Sequence, residues 1–331
     1  MKNSLKTMSS PYSTIPPRQN EPSIWTIVAA VQSMIWLFVL PQLCRPVWHH
    51  LGSFSPVTVE VLLTTSSGVV QVVLFNLCML PIYYMQHPFF EQYKIQFTDP
   101  WPWTNKSPKV RDEFWALSLR SVKITTFNLL CLIPCLVLLK TCAFSLLGLE
   151  PPPFQTDDES WPTHVKMMRD NILMTLLHEF GFYSTHRLMH TYPSLYKYHK
   201  IHHEYKMNTT LAAQHNHPVD YIISIGTPAL MSSAIVQPHS FVFFQWSIWV
   251  VYANLDDHCG YSFPWSPVRW FPFAALTDEH EFHHLKNLGC FGSKLDLYEK
   301  LLQGGNKWYD VWLEKQRELR SSLAGVTEKD D

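Results

Sequence analysis

Long apolar stretches dominate the first half of the chain. They run from about Ile24 to Leu43, from about Val57 to Tyr84 and from about Phe114 to Leu149. Each stretch is long enough to cross a bilayer as a helix, which takes about 20 predominantly apolar residues. Tryptophan and tyrosine side chains near several of their ends suit the membrane–water interface. The pattern therefore predicts transmembrane helices within residues 23–165.

The second half of the chain alternates polar segments with shorter apolar runs. A fourth helix is predicted from about Val165 to His190, and it is less apolar than the first three. Two further runs, Tyr221–Val236 and Ser240–Leu255, are each marginal for a full span and are separated by Gln237-Pro238-His239. A tight membrane hairpin or a re-entrant pair suits such runs. We predict an all-α integral membrane helical bundle with a polar, histidine-rich cap.

Basic residues in the connecting segments predict the orientation of this bundle. Lys and Arg occur in the N-terminal tail and in the loop 86–113, whereas the loops 46–56 and 150–163 contain none. Cytosolic loops of membrane proteins carry an excess of these residues. Both termini, the loop 86–113 and the histidine-rich cap should therefore face the cytosol.

Four segments follow from these patterns. Residues 1–22 are polar and lack an apolar core, so they predict a disordered cytosolic tail and not a cleavable signal peptide. Residues 23–165 contain the transmembrane helices, residues 166–312 contain the histidine motifs with the membrane hairpin, and residues 313–331 predict a charged C-terminal tail that frays.

Composition narrows the classes of function. Only 16% of the residues are charged and the net charge is −1, compared with about 25% charged residues in an ordinary soluble protein. A nearly neutral chain has no electrostatic footprint for nucleic acid. The seven cysteines show neither the spacing of a zinc knuckle nor a disulfide framework. Metal ligands are therefore sought among the 17 histidines.

Three histidine motifs carry the candidate chemistry. They read His186-Arg-Leu-Met-His190, His199-Lys-Ile-His202-His203 and His280-Glu-Phe-His283-His284. Positions i, i+3 and i+4 share one face of a helix, so each motif directs two or three imidazoles to one place. Neutral imidazole suits Fe, Zn, Cu or Ni and not Mg or Ca. Eight converging histidines exceed what one four- to six-coordinate ion uses, so we predict a two-metal centre.

Two more histidines, His217 and His258, extend the set to ten, which would give each ion five nitrogens and one open position for oxygen or water. His217 is preferred to His215 as a metal ligand because it forms the motif His217-Pro218. Because imidazole must be unprotonated to bind a metal, the centre should weaken as the pH falls. Outer residues that hold the ligands by accepting their second ring N–H are expected among His178, Glu204, Asp256, Asp257 and Glu281.

Other interpretations stay open at this point. The simplest is a run of interfacial histidines without metal. His178-Glu179 and His280-Glu281 resemble the start of the zinc-peptidase motif H-E-x-x-H, but neither completes it. A metal transporter would need ligands at mid-membrane on broken helices, whereas these ligands lie at helix ends and in polar segments. A non-catalytic zinc-binding membrane protein also remains possible.

Taken in order, H-R-L-M-H, H-K-I-H-H, His217-Pro, His258-Cys-Gly-Tyr and H-E-F-H-H resemble the motifs of the fatty-acid hydroxylase/sterol desaturase superfamily of membrane di-iron oxygenases. The resemblance covers about residues 170–305 and is strongest to the C-4 methylsterol oxidases. It implies a non-haem di-iron monooxygenase. The metal ligands that it implies are His186, His190, His199, His202, His203, His217, His258, His280, His283 and His284.

The same resemblance implies cofactors, partners and a location. The superfamily uses two Fe ions and O2, and its electrons come from NAD(P)H through a reductase and cytochrome b5 in the endoplasmic reticulum membrane. The implied reaction is the oxidation of an apolar lipid from the bilayer, in the first place a sterol or triterpenoid. The alternatives are a lipid desaturase, or a sphingoid or fatty-acid hydroxylase, at the same site.

A few positions depart from the methylsterol oxidase pattern. Phe182 stands where that group has a histidine four residues before His186. Cys290-Phe291-Gly292 replaces Asn-Tyr-Gly, and Tyr298-Glu299 replaces Trp-Asp. None of these positions is among the ten implied ligands, so the departures bear on the identity of the substrate.

Overall fold

The computed structural model describes residues 24–148, 153–271 and 273–327, and these ranges are mostly helical. They contain no β-strand. Two isolated bridges join Lys94 to Tyr261 and Ala274 to Leu295. The predicted all-α class is confirmed. The tail predicted for residues 1–22 lies outside the described residues.

Three long helical segments make up the first half of the chain. Its helices are α1 Ile24–Met34, α2 Leu40–His50, α3 Pro56–Met85, α4 Pro88–Glu91, α5 Pro108–Phe127 and α6 Ile133–Leu146. One π turn, Ile35–Val39, joins α1 to α2, and another, Asn128–Leu132, joins α5 to α6. Three candidate membrane spans result, Ile24–Ser53, Pro56–Met85 and Pro108–Leu146. The first two contain the predicted stretches, and the first runs on beyond Leu43 to Ser53. The third begins before the predicted Phe114 and ends at Leu146, short of the predicted Leu149, which lies outside the described residues.

Eight helices make up the described part of the second half. They are α7 His164–Thr191, α8 Pro193–His199, α9 Pro218–Asp220, α10 Thr227–Val236, α11 Ser240–Asp257, α12 Thr277–Lys286, α13 Leu297–Gln303 and α14 Lys307–Thr327. A π turn, Tyr221–Gly226, joins α9 to α10 and completes a fourth candidate span, Pro218–Val236. The turn 237–239 then leads into α11. Helix α10 packs mainly against α7, whereas α11 packs mainly against α3, so the tight membrane hairpin stays a prediction. Short 3-10 turns occur at Leu51–Ser53, Pro102–Thr104, His202–Glu204, Ala212–Gln214 and Val268–Trp270.

Each of the three π turns ends two residues before a proline. The prolines are Pro41, Pro134 and Pro228. A proline ring clashes with the carbonyl group four residues earlier and offers no N–H to it. A single π turn widens the helix by one residue and relieves this conflict. The spans therefore stay helical across these three prolines.

The last helix, α14, continues into the segment that was predicted to be a charged tail. The predicted boundary between residues 312 and 313 falls inside it, and the helix runs to Thr327. Trp312 and Leu313 pack with Phe282 of α12 and with Tyr309. These apolar contacts hold α14 against the cap. They could not be predicted from the charged residues of the segment.

Hydrogen bonds at one end of the bundle attach the cap to the spans. The hydroxyl of Tyr83, near the end of α3, donates to the carbonyl oxygen of Cys259 at 2.8 Å. The amide of Asn128, between α5 and α6, donates to the carbonyl oxygen of Asn216 at 2.9 Å. Both acceptors lie next to candidate ligands in the sequence, so the spans position the segments that carry the histidines.

Candidate metal centre

Nine histidines converge in the cap and form two groups. Within each group, the ring nitrogens that could bind one ion all lie within 4.8 Å of one another. Group one contains His186, His190, His199, His203 and His283. Group two contains His202, His258, His280 and His284. The structure therefore brings together nine of the ten predicted ligands and divides them five and four.

Each H-x-x-H-H motif contributes to both groups. In the first motif, His199 and His203 belong to group one, and His202 belongs to group two. In the second motif, on α12, His280 and His284 belong to group two and His283 to group one. In each motif the pair at i and i+4 contributes to one group, and the residue before its second member contributes to the other. Positions i and i+3 are also neighbours on a helix, so the spacing alone does not predict this division. The second motif lies on α12, whereas the first begins at the end of α8 and continues in the 3-10 turn His202–Glu204. One short segment thus serves two neighbouring sites.

Distances within the groups match those between neighbouring ligands of one ion. The Nε2 atoms of His199 and His203 are 3.0 Å apart. In group two, the Nε2 atom of His258 lies 3.3 Å from that of His202 and 2.9 Å from that of His280. Two nitrogens bound at about 2.1 Å to one ion lie about 3.0 Å apart at right angles and about 4.2 Å apart when opposite. Both groups have the size of a single-ion site.

Hydrogen bonds to Nδ1 determine the tautomer of several imidazoles. The Nδ1–H groups of His186, His258 and His283 donate to the carbonyl oxygens of Phe291, Asn254 and Gly289, at 2.9, 2.7 and 2.7 Å. A carbonyl oxygen can only accept, so Nδ1 carries the proton in each case. The Nε2 lone pair of each neutral ring is then free to bind a metal.

Several Nε2 atoms of group one have no hydrogen-bond partner among the described residues. Those of His186, His190 and His283 are buried and have no hydrogen-bond partner. A buried polar atom without a partner costs about 1–3 kcal/mol. Three such atoms, all directed into one group of imidazoles, fit a bound cation that prefers nitrogen ligands.

Burial keeps these imidazoles neutral. It lowers the pKa of His190 and that of His258 to about 3 each. Burial, followed by the neighbouring histidines, holds the pKa well below its usual range for His186, His202, His203, His280, His283 and His284. The neutral ring is the form that binds a metal ion, so the site is ready to bind one at pH 7.

The sequence profile of the fatty acid hydroxylase family matches residues 171–303, which include all nine grouped histidines. This region is a fatty acid hydroxylase domain. The resemblance to the hydroxylase/desaturase superfamily is thereby confirmed. With four candidate spans, the chain is a multi-pass membrane protein.

Relatives of the chain include two proteins named as sterol monooxygenases. Methylsterol monooxygenase erg25B of Aspergillus fumigatus is 31% identical over 146 residues, which cover 43% of this chain and 49% of that protein. Methylsterol monooxygenase 1 of Danio rerio is 25% identical over 285 residues, which cover 84% and 89%. Very-long-chain aldehyde decarbonylase GL1-11 of Oryza sativa subsp. indica is 36% identical over 110 residues, which cover 33% and 41%. The chain thus spans less than half of the first and third relatives and most of the second. No solved structure matches it.

The tenth predicted ligand of the hydroxylase domain, His217, lies outside both groups. Its Nδ1 atom accepts the backbone N–H of Val219 at 3.1 Å, so the ring caps the first turn of α9. His215, the less favoured candidate, is buried between Ser121 and Glu204, at 3.0 Å from Nδ1 and 2.8 Å from Nε2. Pro218 does set the backbone before α9, but the ring that it positions faces the helix end.

The five outer residues predicted for the hydroxylase domain bond elsewhere. Glu204 pairs with Arg120 and with His215. Asp256 accepts a hydrogen bond from Ser266, and Asp257 accepts one from Lys294. Glu281 accepts hydrogen bonds from Gln96 and from the backbone N–H group of Asn208. His178 packs against Trp246, with its Nδ1 atom 3.6 Å from a carboxylate oxygen of Glu179.

Asp220 is the carboxylate that contacts a grouped histidine. Both of its oxygens lie 3.2 Å from Nδ1 of His199, and Asn216 and Ser224 also donate to it, at 3.1 and 2.9 Å. The sequence holds one signal for this role, because an acidic residue at the start of an apolar run is unusual. The carbonyl groups that orient His186, His258 and His283 belong to the backbone, so no residue type in the sequence indicates them.

Glu179 supports the same site from a greater distance. One of its carboxylate oxygens accepts the backbone N–H groups of Ser293, Lys294 and Leu295 at 3.1, 2.9 and 3.1 Å. This loop follows Phe291, whose carbonyl group orients His186. Helix α7 therefore holds both a ligand and the loop that orients it.

Proposed function

We propose that the protein is a membrane-bound non-haem di-iron monooxygenase that oxidises an apolar lipid. The observation that carries the proposal is the pair of adjacent histidine groups, with eight of the nine rings buried, inside the region that matches the fatty acid hydroxylase family. Group one would hold one iron ion and group two the other. Bound there, the two ions would supply the activation of O2 and the cleavage of a C–H bond.

The side chains of the domain would contribute position and protection. Protein oxygens hold the Nδ1–H groups of His186, His199, His258 and His283, which leaves each Nε2 atom directed inward. Eight of the nine rings are buried and His190 is half-buried, which would keep bulk water away from the reaction and limit side reactions of an oxidising intermediate.

The preferred substrate is a sterol or triterpenoid, oxidised at a methyl group as in C-4 demethylation. The relatives named methylsterol monooxygenases support this choice, and the four candidate spans suit entry of the substrate from the bilayer. The first round would consume one O2, two electrons and two protons, and would convert the methyl group to a hydroxymethyl group with release of one water. We propose that NAD(P)H supplies the electrons through a reductase and cytochrome b5, on the cytosolic face of the endoplasmic reticulum.

A metal and turnover assay tests this function. Purified full-length protein in nanodiscs should contain about two irons per chain, on the ligand count of the two groups. With NAD(P)H, reductase and cytochrome b5, it should convert a 4-methyl sterol to a product heavier by one oxygen only when O2 is present. A product lighter by two hydrogens would identify a desaturase instead. Two zinc ions and no oxidation of a sterol, a sphingoid base or a fatty acid would refute the oxygenase proposal.

A further inference from the structure

Helix α13 makes two polar contacts with the protein. The Glu299 side chain is buried, with the residue 4% exposed, and its carboxylate accepts the backbone N–H groups of Cys290 and Phe291, each at 3.2 Å. The amide of Gln303, an exposed residue, donates to the hydroxyl of Tyr183 on α7 at 2.8 Å. Both contacts hold α13 against the protein.

Two large apolar side chains lie on the outer side of α13. Leu301 and Leu302 are 69% and 57% exposed. The two exposed polar residues of this helix both have protein partners, since Lys300 is paired with Asp296 and Gln303 donates to Tyr183. Adjacent leucines exposed to this extent suit an apolar surrounding.

The contacts of α13 with α7 place it at membrane depth. The hydroxyl of Tyr298 donates to the carbonyl oxygen of Leu176 at 2.9 Å, and its ring packs on Phe180 with centroids 5.4 Å apart. The next residue of α7, Gly181, lies directly against Pro228 of α10. Pro228 is near the middle of the candidate span 218–236. The part of α7 that contacts α13 is therefore level with the interior of a membrane span.

Helix α7, which α13 contacts, also exposes apolar side chains at Ile172, Leu173 and Phe180. We propose that α13 lies within the bilayer and that Leu301 and Leu302 contact lipid acyl chains. The chain then re-enters the membrane after the third histidine motif. This proposal concerns the membrane alone and does not depend on the metal or on the reaction.

The residues that follow α13 suit a return to the membrane surface. Gly304 and Gly305 have φ angles of +74° and +88°, which favour glycine and allow a sharp turn. Trp308, at the start of α14, is 69% exposed, and an exposed indole suits the membrane–water interface. Lys307 beside it can extend toward lipid headgroups.

Two hydrogen bonds through Phe291 link the proposed membrane contact of α13 to the metal centre. Glu299 of α13 accepts the N–H group of Phe291, and the carbonyl group of Phe291 accepts from His186. Lipid around α13 would therefore help to hold the loop that orients a ligand of group one.

Photo-crosslinking to lipid tests the proposal. A benzophenone amino acid is placed at Leu301 or, in a second variant, at Leu302 of the full-length protein in phosphatidylcholine nanodiscs. Leu173 on α7 serves as the positive control, and Glu318, exposed on α14, as the negative control. After irradiation, mass spectrometry should find phospholipid adducts at positions 301 and 302 at a yield similar to that at 173 and several-fold above that at 318.

The overturning result is also specific. Lipid adducts at position 173, with positions 301 and 302 no more labelled than 318, would show that α13 faces water. Crosslinks from 301 or 302 to a second copy of the chain would show that protein covers the face, and would overturn the proposal as well. Either result would leave the oxygenase proposal untouched, because no turnover is measured.

Discussion

The two histidine groups are built in different ways. In group one, protein oxygens hold the Nδ1 atoms of His186, His199 and His283. In group two, one ring, His258, has such a partner, and among the described residues the Nδ1 atoms of the other three are buried without one. Outer hydrogen bonds orient a ligand before the ion arrives and raise its basicity. Group one should therefore bind its ion more tightly than group two.

The largest expected effect is the loss of a group-one ligand. His283→Ala should abolish turnover, by at least about 100-fold, and should lower the bound metal while leaving membrane insertion intact. Metal analysis and sterol turnover are measured on the same preparation. His164→Ala, an exposed histidine at the start of α7, is the matched control. Activity of the His283→Ala protein near that of the control would count against a ligand role.

Chelator titration separates the two groups directly. We expect the metal to leave in two steps, with about one ion per chain lost first, because group two has fewer nitrogens and fewer outer hydrogen bonds. His284→Ala should remove the weaker step and leave the tighter one in place. Residual metal per chain is measured after desalting. Loss of both ions in a single step, or loss of the tighter step in His284→Ala, would contradict the difference between the groups.

A pair of acidic substitutions tests the outer hydrogen bonds. Asp220→Asn should weaken metal binding about 10- to 100-fold, because the amide is a poorer acceptor for the N–H group of His199 than the carboxylate. Asp256→Asn should have a smaller effect, since Asp256 accepts from Ser266 and from no grouped histidine. Competition with a calibrated chelator gives both affinities. An equal or larger loss in Asp256→Asn would show that Asp220 has no special role.

The smallest effect is expected at His217. Its ring caps the first turn of α9, and the loss of such a cap costs about 0.5–2 kcal/mol of stability. His217→Ala should therefore lower the midpoint of thermal unfolding slightly and leave two ions bound. Loss of one ion in His217→Ala would show that His217 is a metal ligand.

Much of the site could be predicted because it depends on local spacing. The motifs ending at His203 and His284 each place three rings within five residues, so these rings stay near one another, although the folded chain divides them between the two groups. The position of His217 could not be predicted in this way. A single histidine between a loop and a helix can point toward the metal groups or toward the end of the helix. In the folded chain the ring of His217 points toward the helix end, because it accepts the N–H group of Val219.

The helical class and the spans could be predicted from the pattern of residues, because membrane-spanning length and the helical repeat are local properties of a chain. The spacing inside each histidine motif is local as well. Only the folded chain shows how the motifs meet, how nine rings divide into five and four, which parts Asp220 and the carbonyl group of Phe291 play, and where α13 lies beside α7. Each of these depends on where two distant segments meet, and backbone oxygens that orient a ring carry no residue type that a sequence could reveal.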